Sequence, residues 1–186
     1  MPIKAGDFRN GVIFEYNGNP AMVVEFQHVK PGKGAAFVRT KFKDAITGAV
    51  REMSFNPEDK FENATIERVT ANYSWNDGDL YYFYHEDGSD VTVDKSKLPD
   101  NFKFVKDGMD CTILSYKGSV FSVEPPNFVE LEITQTDPGF AGNTATNATK
   151  PATVETGAEI KVPLFIEEGE KVMIDTRTGE YLSRAK

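Results

Sequence analysis

The feature that most constrains the fold of this chain is an alternation of apolar and polar residues, which recurs in short runs from end to end. In the first third the runs are VIFEY, AMVVEFQHVK, AAFVRTKF and AVREMSF, separated by the turn-forming stretches NGNP, PGKG and AITG. A period of two places the apolar side chains on one face of a β-strand, and Gly, Pro and Asn clusters at this spacing join antiparallel strands. The chain is therefore predicted to be all-β, built as a meander or as small barrels.

Two turn-rich stretches divide this pattern into three parts. The polar segment NPEDKFENA ends near residue 64, and Pro125-Pro126 cannot donate hydrogen bonds to a strand ladder. The predicted domains are residues 1–64, 65–127 and 128–186, and modules this small are expected to pack against one another. Within them we predict one short amphipathic helix in NFKFVKDG and a long loop at residues 137–150.

An internal echo links the second and third modules. Gly108 and Gly118 stand ten residues apart, as do Gly169 and Gly179, with an isoleucine midway in each case. The echo predicts that the two modules are copies of one small β-barrel.

The composition is consistent with a reducing compartment. No apolar run approaches the length of a membrane-spanning helix, and the start, MPIKAGDFRNG, lacks the apolar core of a secretory signal. Cys111 is the single cysteine, so no internal disulfide can form. We expect a cytoplasmic monomer that does not contact membranes.

Catalytic and metal-binding constellations are scarce. His28 and His85 are the only histidines, and Cys111 lies in the alternating run CTILSY, where a small buried hydrophobe is expected. The glycines around Lys33 fit neither a P-loop nor a dinucleotide fingerprint, whose third glycine would fall on Phe37. A small hydrolase would need a nucleophile and a base, which the sequence does not offer. We predict no enzyme activity, no metal and no cofactor.

The sharpest local feature is a basic stretch, HVKPGKGAAFVRTKFK, at residues 28–43. It has no acid, and its five bases are Lys30, Lys33, Arg39, Lys41 and Lys43. Residues 1–64 hold nine bases and eight acids, a net +1, whereas residues 65–127 and 128–186 carry −5 and −4. The first module is thus the only part that a polyanion would not repel.

The stretch is predicted to form a hairpin with Lys33 at its apex. Pro31, Gly32 and Gly34 give Lys33 a tight turn without bulky neighbours, and Arg39, Lys41 and Lys43 alternate along one strand and so share a face. Such a lysine-tipped probe suits a narrow RNA cavity. The alternative is an ordinary hairpin turn with solubilising lysines.

Two separate motifs resemble the bacterial translation elongation factor P family. HVKPGKGAAFVR is similar to the tip of that family's first domain. Residues 150–169, KPATVETGAEIKVPLFIEEG, are similar to its signature, and PPNFVELEI and TRTGEYLSRAK are also typical. The resemblance covers the whole chain and its three-part division.

The resemblance implies a KOW or SH3-like barrel followed by two OB-fold barrels in an L-shaped, tRNA-like arrangement, whose acidic charge would imitate tRNA. It implies a factor that binds the ribosome beside the peptidyl-tRNA and promotes peptide-bond formation at stalls such as consecutive prolines. Lys33 would then be the tip lysine, which a modifying enzyme extends in many members. The ribosome would supply the active site.

The resemblance also implies roles for other residues. Lys30, Arg39, Lys41 and Lys43 would hold phosphates, and Tyr181 and Arg184 would contact tRNA or the small subunit. A loop that often reads Gly-Asp-Thr-Ala in the family, after a basic residue, here reads Ala141 and then GNTA, so Gly142 and Thr144 match whereas Asn143 lacks the charge.

One other function stays open from the sequence, a single-strand RNA-binding OB-fold protein not tied to translation. It predicts aromatic stacking platforms on a basic groove, whereas the second and third modules are acidic.

Overall fold

The structure, a computed structural model, describes residues 1–139 and 148–186. Across these residues the regular elements are β-strands and three short 3-10 turns, with no α-helix. The predicted all-β class is confirmed. By its internal contacts the chain divides into two compact units, Met1–Glu67 with Ser115–Phe121, and Arg68–Leu114 with Ser122–Lys186. The boundaries of the three predicted modules stay a prediction.

The first unit is built around a four-stranded antiparallel sheet. Its strands are β1 (Ile3–Lys4), β2 (Ile13–Tyr16), β3 (Asn19–Val29), β4 (Phe37–Asp44), β5 (Val50–Phe55) and β6 (Lys60–Phe61). The main sheet has the order β2-β3-β4-β5, and β1 pairs with β6 in a second, two-stranded sheet. Neighbours in sequence are therefore neighbours in the main sheet, as in the predicted meander.

Aromatic rings fill the core of this unit. Phe14 is fully buried, and its ring centroid lies 4.7 Å from that of Phe8, 5.4 Å from that of Phe42 and 5.1 Å from that of Phe61. Phe42 belongs to the main sheet, Phe61 to the two-stranded sheet and Phe8 to the connection between β1 and β2, so Phe14 ties the two sheets together.

The second unit contains two sheets of five strands. Their strands are β7 (Glu67–Asn76), β8 (Leu80–Tyr84), β9 (Asp90–Asp94), β10 (Asp110–Tyr116), β11 (Ser119–Glu124), β12 (Phe128–Thr136), β13 (Thr149–Val154), β14 (Glu159–Pro163), β15 (Lys171–Asp175) and β16 (Glu180–Arg184). Two small parts of these strands group with the first unit. They are Glu67, the first residue of β7, and Ser115–Phe121, which includes the turn of the β10–β11 hairpin. The sheet orders are β11-β10-β7-β8-β9 and β16-β15-β12-β13-β14.

The two five-stranded sheets repeat one plan, as the glycine spacing predicted. The Gly108 amide donates to the Tyr73 carbonyl at 2.8 Å, and the Gly169 amide donates to the Ile133 carbonyl at 2.8 Å. The register between the first two strands shifts at Tyr73 in one sheet and at Ile133 in the other. All four spaced glycines have positive φ, which favours glycine. The internal repeat is confirmed.

The predicted amphipathic helix is wrong in type. Asp100–Phe104 forms a 3-10 turn, in which Phe102 and Phe104 are both buried. Phe102 packs against the ring of Tyr73, at 5.3 Å between centroids, whereas Phe104 joins the core formed by β12–β16. Phe102 and Phe104, two residues apart, thus serve two different cores.

Replacing Phe14 should severely destabilise the first unit. Phe14→Ala is expected to lower the free energy of unfolding by about 3–5 kcal/mol, because it removes a fully buried ring and leaves a cavity. Val50, which is 53% exposed, provides the matched control. Val50→Ala should change that free energy by less than about 0.5 kcal/mol. Urea unfolding followed by circular dichroism measures both, and equal costs would contradict the assigned core.

Candidate nucleic-acid interface

The predicted basic hairpin is formed by β3 and β4. The strands pair from Ala21 opposite Asp44 to Val29 opposite Phe37, and residues 30–36 connect them. We call residues 30–36 the tip loop. Ala21, Val23 and Phe42 of this ladder belong to the core of the unit, and Val38 and Thr40, nearer the tip, are also buried. The tip loop begins beyond the last pair, Val29 opposite Phe37.

Lys33 lies at the exposed centre of the tip loop. Lys30, Pro31, Gly32, Lys33 and Gly34 are all exposed. Among the described residues, neither lysine has a carboxylate within 4 Å. Both ammonium groups are thus free to meet an external anion.

The two glycines of the tip differ in what they contribute. Gly34 has φ +105°, a backbone conformation that disfavours any side chain, and a Cβ there would lie 3.8 Å from Pro31 Cγ. The φ of Gly32 lies outside the positive range that favours glycine, and no heavy atom comes within 4 Å of a Cβ placed on it. The shape of the tip loop therefore requires glycine at position 34 and not at position 32.

The three bases of β4 share one face, as the alternation predicted. Arg39, Lys41 and Lys43 are exposed, whereas the residues between them are buried. We call this surface of the sheet the outer face. It lies opposite the packed aromatic core, so the bases point to solvent along one line.

Two acids on the neighbouring strands reduce the charge of the outer face. Lys41 stands between Glu25 of β3 and Glu52 of β5, directly opposite both. Glu52 Oε1 lies 3.9 Å from Arg39 Nε, an exposed pair that contributes little to stability. Three bases thus face two acids, which the sequence of the hairpin alone did not reveal.

Sequence reasoning also missed Arg9. Its guanidinium lies over the ring of Phe26, 5.4 Å from the centroid, and His28 packs edge-on against the same ring at 5.7 Å. Both aromatic residues belong to β3, so Arg9 adds a cation beside the stem of the hairpin. Arg9 lies in a loop well before the hairpin in the sequence, so only the folded structure brings it beside Phe26.

The two predicted RNA contacts of the last strand lie in the second unit. Tyr181 is half-buried and packs against the core of β12–β16. Arg184 is bound within its own unit, with Nε 3.2 Å from Glu170 Oε1 and the guanidinium 4.6 Å from the centre of the Phe165 ring. Arg184 is nevertheless exposed, and its contact with RNA stays a prediction. Gly142, Asn143 and Thr144 lie outside the described residues.

Metal binding and thiol catalysis each place requirements on the described residues. Within residues 1–139 and 148–186, no three His, Cys, Asp or Glu side chains are grouped to hold a metal ion. Cys111 is 2% exposed, and burial raises the pKa of its thiol to about 12, so the thiolate that a nucleophile requires does not form. In the same residues no helix is long and apolar enough to cross a membrane.

Three family models match the chain in succession. They are the elongation factor P KOW-like domain at residues 4–61, the elongation factor P OB domain at residues 66–123, and the elongation factor P C-terminal domain at residues 129–184. The predicted KOW-like and OB domains are thereby confirmed.

Curated relatives match over nearly the full length. Elongation factor P of Acetivibrio thermocellus is 60% identical over 183 residues, which cover 98% of this chain and 99% of that protein. Elongation factor P of Ruminiclostridium cellulolyticum is 59% identical over 185 residues, 99% of this chain and all of that protein.

Solved structures share the fold at low identity. Translation initiation factor 5A from Methanococcus jannaschii has a TM-score of 0.54 at 18% identity, covering 66% of this chain and 95% of that chain. An initiation factor 5A family protein from Naegleria fowleri has a TM-score of 0.51 at 19% identity, covering 67% and 97%. Given the full-length identity and the three successive domain matches, the chain belongs to the elongation factor P family of translation factors, which are not enzymes.

Proposed function

We propose that this elongation factor binds the ribosome beside the peptidyl-tRNA and promotes peptide-bond formation at stalled sequences such as consecutive prolines. The observation that carries the proposal is Lys33, exposed and without a carboxylate partner among the described residues, at the end of a paired hairpin. The factor acts as a monomer in the cytoplasm. The ribosome supplies the catalytic groups, and the factor supplies position.

Proline needs such help for a physical reason. Its ring fixes φ and restricts the conformations that the peptidyl chain can adopt. A stalled ribosome therefore holds its two reacting groups in poor orientation much of the time. A support beside the acceptor end of the peptidyl-tRNA reduces the orientational freedom that remains to be lost in the transition state.

The tip loop has the properties that this role requires. Gly34 fixes the turn through its positive φ, and Lys30 and Lys33 present ammonium groups without bulky neighbours. An ammonium group attracts the phosphates near the 3′ end of tRNA. Extension of Lys33 by a lysine-modifying enzyme would lengthen its reach, and its exposure supports access for such an enzyme.

The outer face has a second part in the proposal, to hold RNA phosphates through Arg39, Lys41 and Lys43. The acids Glu25 and Glu52 limit that attraction. A moderate net charge favours binding in a defined orientation over indiscriminate binding to nucleic acid. In the third module, the loop with Gly142, Asn143 and Thr144 and the side chains of Tyr181 and Arg184 are proposed to contact the small subunit or tRNA.

Synthesis of diprolyl and triprolyl peptides in a reconstituted translation system tests the proposal directly. The factor should increase the rate of proline–proline bond formation and leave peptides without proline pairs unaffected. Absence of stimulation by both the unmodified and the natively modified protein would overturn the proposal.

Lys33→Ala separates positioning from binding. Stimulation of proline–proline synthesis should fall by on the order of a hundredfold, because loss of a positioning group costs about that much rate. Ribosome affinity should fall by at most about fivefold, the worth of one exposed charge. Rapid-quench kinetics and ribosome pelleting measure the two effects. Equal losses would contradict a positioning role for the tip.

Arg39→Ala and Glu52→Gln should change ribosome binding in opposite directions. Arg39→Ala removes a phosphate contact and should lower the slope of log affinity against log salt by about one. It should weaken binding more than Lys33→Ala does. Glu52→Gln removes an acid 3.9 Å from Arg39 and should strengthen binding. Salt titrations of ribosome binding check this, and Asp107→Asn, which removes one exposed acid elsewhere, serves as the control.

The two tip glycines should respond differently to alanine. Gly34→Ala forces the loop away from φ +105° and so moves Lys33, whereas Gly32→Ala meets no atom within 4 Å. Stimulation should therefore drop markedly in Gly34→Ala and stay near the wild-type value in Gly32→Ala. Peptide-synthesis rates measure this difference, and identical rates would show that the loop shape is irrelevant.

A further inference from the structure

A second exposed feature lies in the second unit, on the sheet that contains β7, β8 and β9. Trp75 and Tyr82 stand opposite each other on β7 and β8, with ring centroids 4.6 Å apart and planes within 10°. Trp75 is 52% exposed, and Tyr84, which follows Tyr82 by two residues on β8, is 43% exposed. We call these three side chains the aromatic face.

The fold does not require aromatic residues at these positions. The sister sheet has the same strand order and the same register shift, and there Gln135 stands opposite Thr153 at the places of Trp75 and Tyr82. Both sheets fold with the same plan. The stacked pair is therefore a property of the surface and not a condition for folding.

Half of the Trp75 surface faces solvent. Trp75 is 52% exposed, and the aromatic ring stacked on its indole is that of Tyr82. Contiguous exposed aromatic groups of this kind commonly mark binding surfaces, because covering them removes apolar area from water.

Carboxylates surround the aromatic face. Asp90 stands opposite Tyr84 on the neighbouring strand β9, and Asp94 stands opposite Leu80. Asp77 Oδ2 lies 3.5 Å from the Tyr82 hydroxyl. Hydrogen bonds from the Leu80 and Asp79 amides lower the pKa of Asp77, so its carboxylate stays charged at neutral pH.

The surrounding sequence is acidic. Residues 67–97 contain three bases, Arg68, Lys95 and Lys97, of which Arg68 is paired with Glu124 at 2.6 Å. The acids of this stretch number seven: Glu67, Asp77, Asp79, Glu86, Asp87, Asp90 and Asp94. This charge decides which chemistry fits the aromatic face.

A nucleic-acid strand does not fit. Single-stranded RNA needs stacking rings together with a basic groove for its phosphates, and here the rings are present but the groove is acidic. A guanidinium group fits both features, because it stacks on an indole face and also binds carboxylates through its planar donors.

We propose that the aromatic face binds an arginine-rich segment of a partner protein, with one guanidinium stacked on the exposed indole of Trp75 and a second arginine of the segment paired with Asp90, which lies two strands away beside Tyr84. This surface is separate from the basic hairpin in the sequence, and its role does not rest on the action of Lys33.

Trp75 is the only tryptophan of the chain, so tryptophan emission of the intact protein, excited selectively over its seven tyrosines, reports on this surface. The probes are a synthetic arginine–glycine repeat peptide, a lysine–glycine peptide of the same length, and a single-stranded oligouridine. The arginine peptide should change Trp75 emission in a saturable manner. The lysine peptide should bind at least about threefold more weakly, because ammonium stacks less well on an indole.

Variants locate the binding. In calorimetric titrations with the arginine peptide, Trp75→Ala should weaken binding by about two- to fivefold. Asp90→Asn should weaken it by about twofold. Gln135→Ala, at the equivalent position of the sister sheet, and Glu130→Gln, which removes one exposed acid from that sheet, should each leave the affinity unchanged.

Three results would overturn the proposal. The first is an arginine peptide that leaves the emission unchanged, or that binds Trp75→Ala as well as the wild type. The second is binding of oligouridine at least as tight as that of the peptide, which would assign the surface to RNA. The third is a change of emission with protein concentration alone, which would assign it to a second copy of this chain.

Discussion

The antiparallel pairing of β3 with β4 fixes both the position of Lys33 and the direction of the other bases. Val23 and Phe42 stand opposite each other in the ladder and are buried in the aromatic core, which anchors the register. A slip of one residue would move Arg39, Lys41 and Lys43 to the buried side of the sheet. The core thus sets, through one ladder, which charges face solvent and where the turn forms.

Much of this arrangement could be predicted from the sequence because it is local. Alternation along β4 sufficed to place its three bases on one face, and the Pro and Gly residues sufficed to place the turn at Lys33. The internal repeat also followed from local signals, since a glycine with positive φ lies in the turn of each of the two equivalent hairpins, β10–β11 and β15–β16. Burial of Cys111 followed from its place in an alternating run.

The remainder depends on pairings between distant segments, which no local pattern encodes. Glu52 reaches Arg39 and Lys41 only because β5 pairs with β4 in one particular register. The neighbours of Arg184 are another case: its guanidinium lies over Phe165 and its Nε lies 3.2 Å from a Glu170 carboxylate oxygen. The helix predicted around Phe102 failed for the same reason, because two neighbouring cores compete for its side chains.

The repeat separates what the fold needs from what the surface adds. Two sheets with one strand order and one register shift carry a stacked Trp75–Tyr82 pair in one case and Gln135 with Thr153 in the other. Common hydrogen bonds at Gly108 and Gly169 preserve the frame. The surfaces of the two modules can therefore differ in function without a change of fold. The basic hairpin, which we propose to meet tRNA, belongs to the first unit.

The central claim is that Lys33 meets the acceptor end of the peptidyl-tRNA, and site-specific photocrosslinking tests it most directly. A photoreactive amino acid placed at position 33 should, on ribosomes stalled at consecutive prolines, form its main crosslink with the 3′-terminal nucleotides of the peptidyl-tRNA. The same group at position 50, on the edge strand β5, should not. Crosslinks from position 33 to ribosomal RNA or protein alone, with none to the tRNA end, would contradict the account.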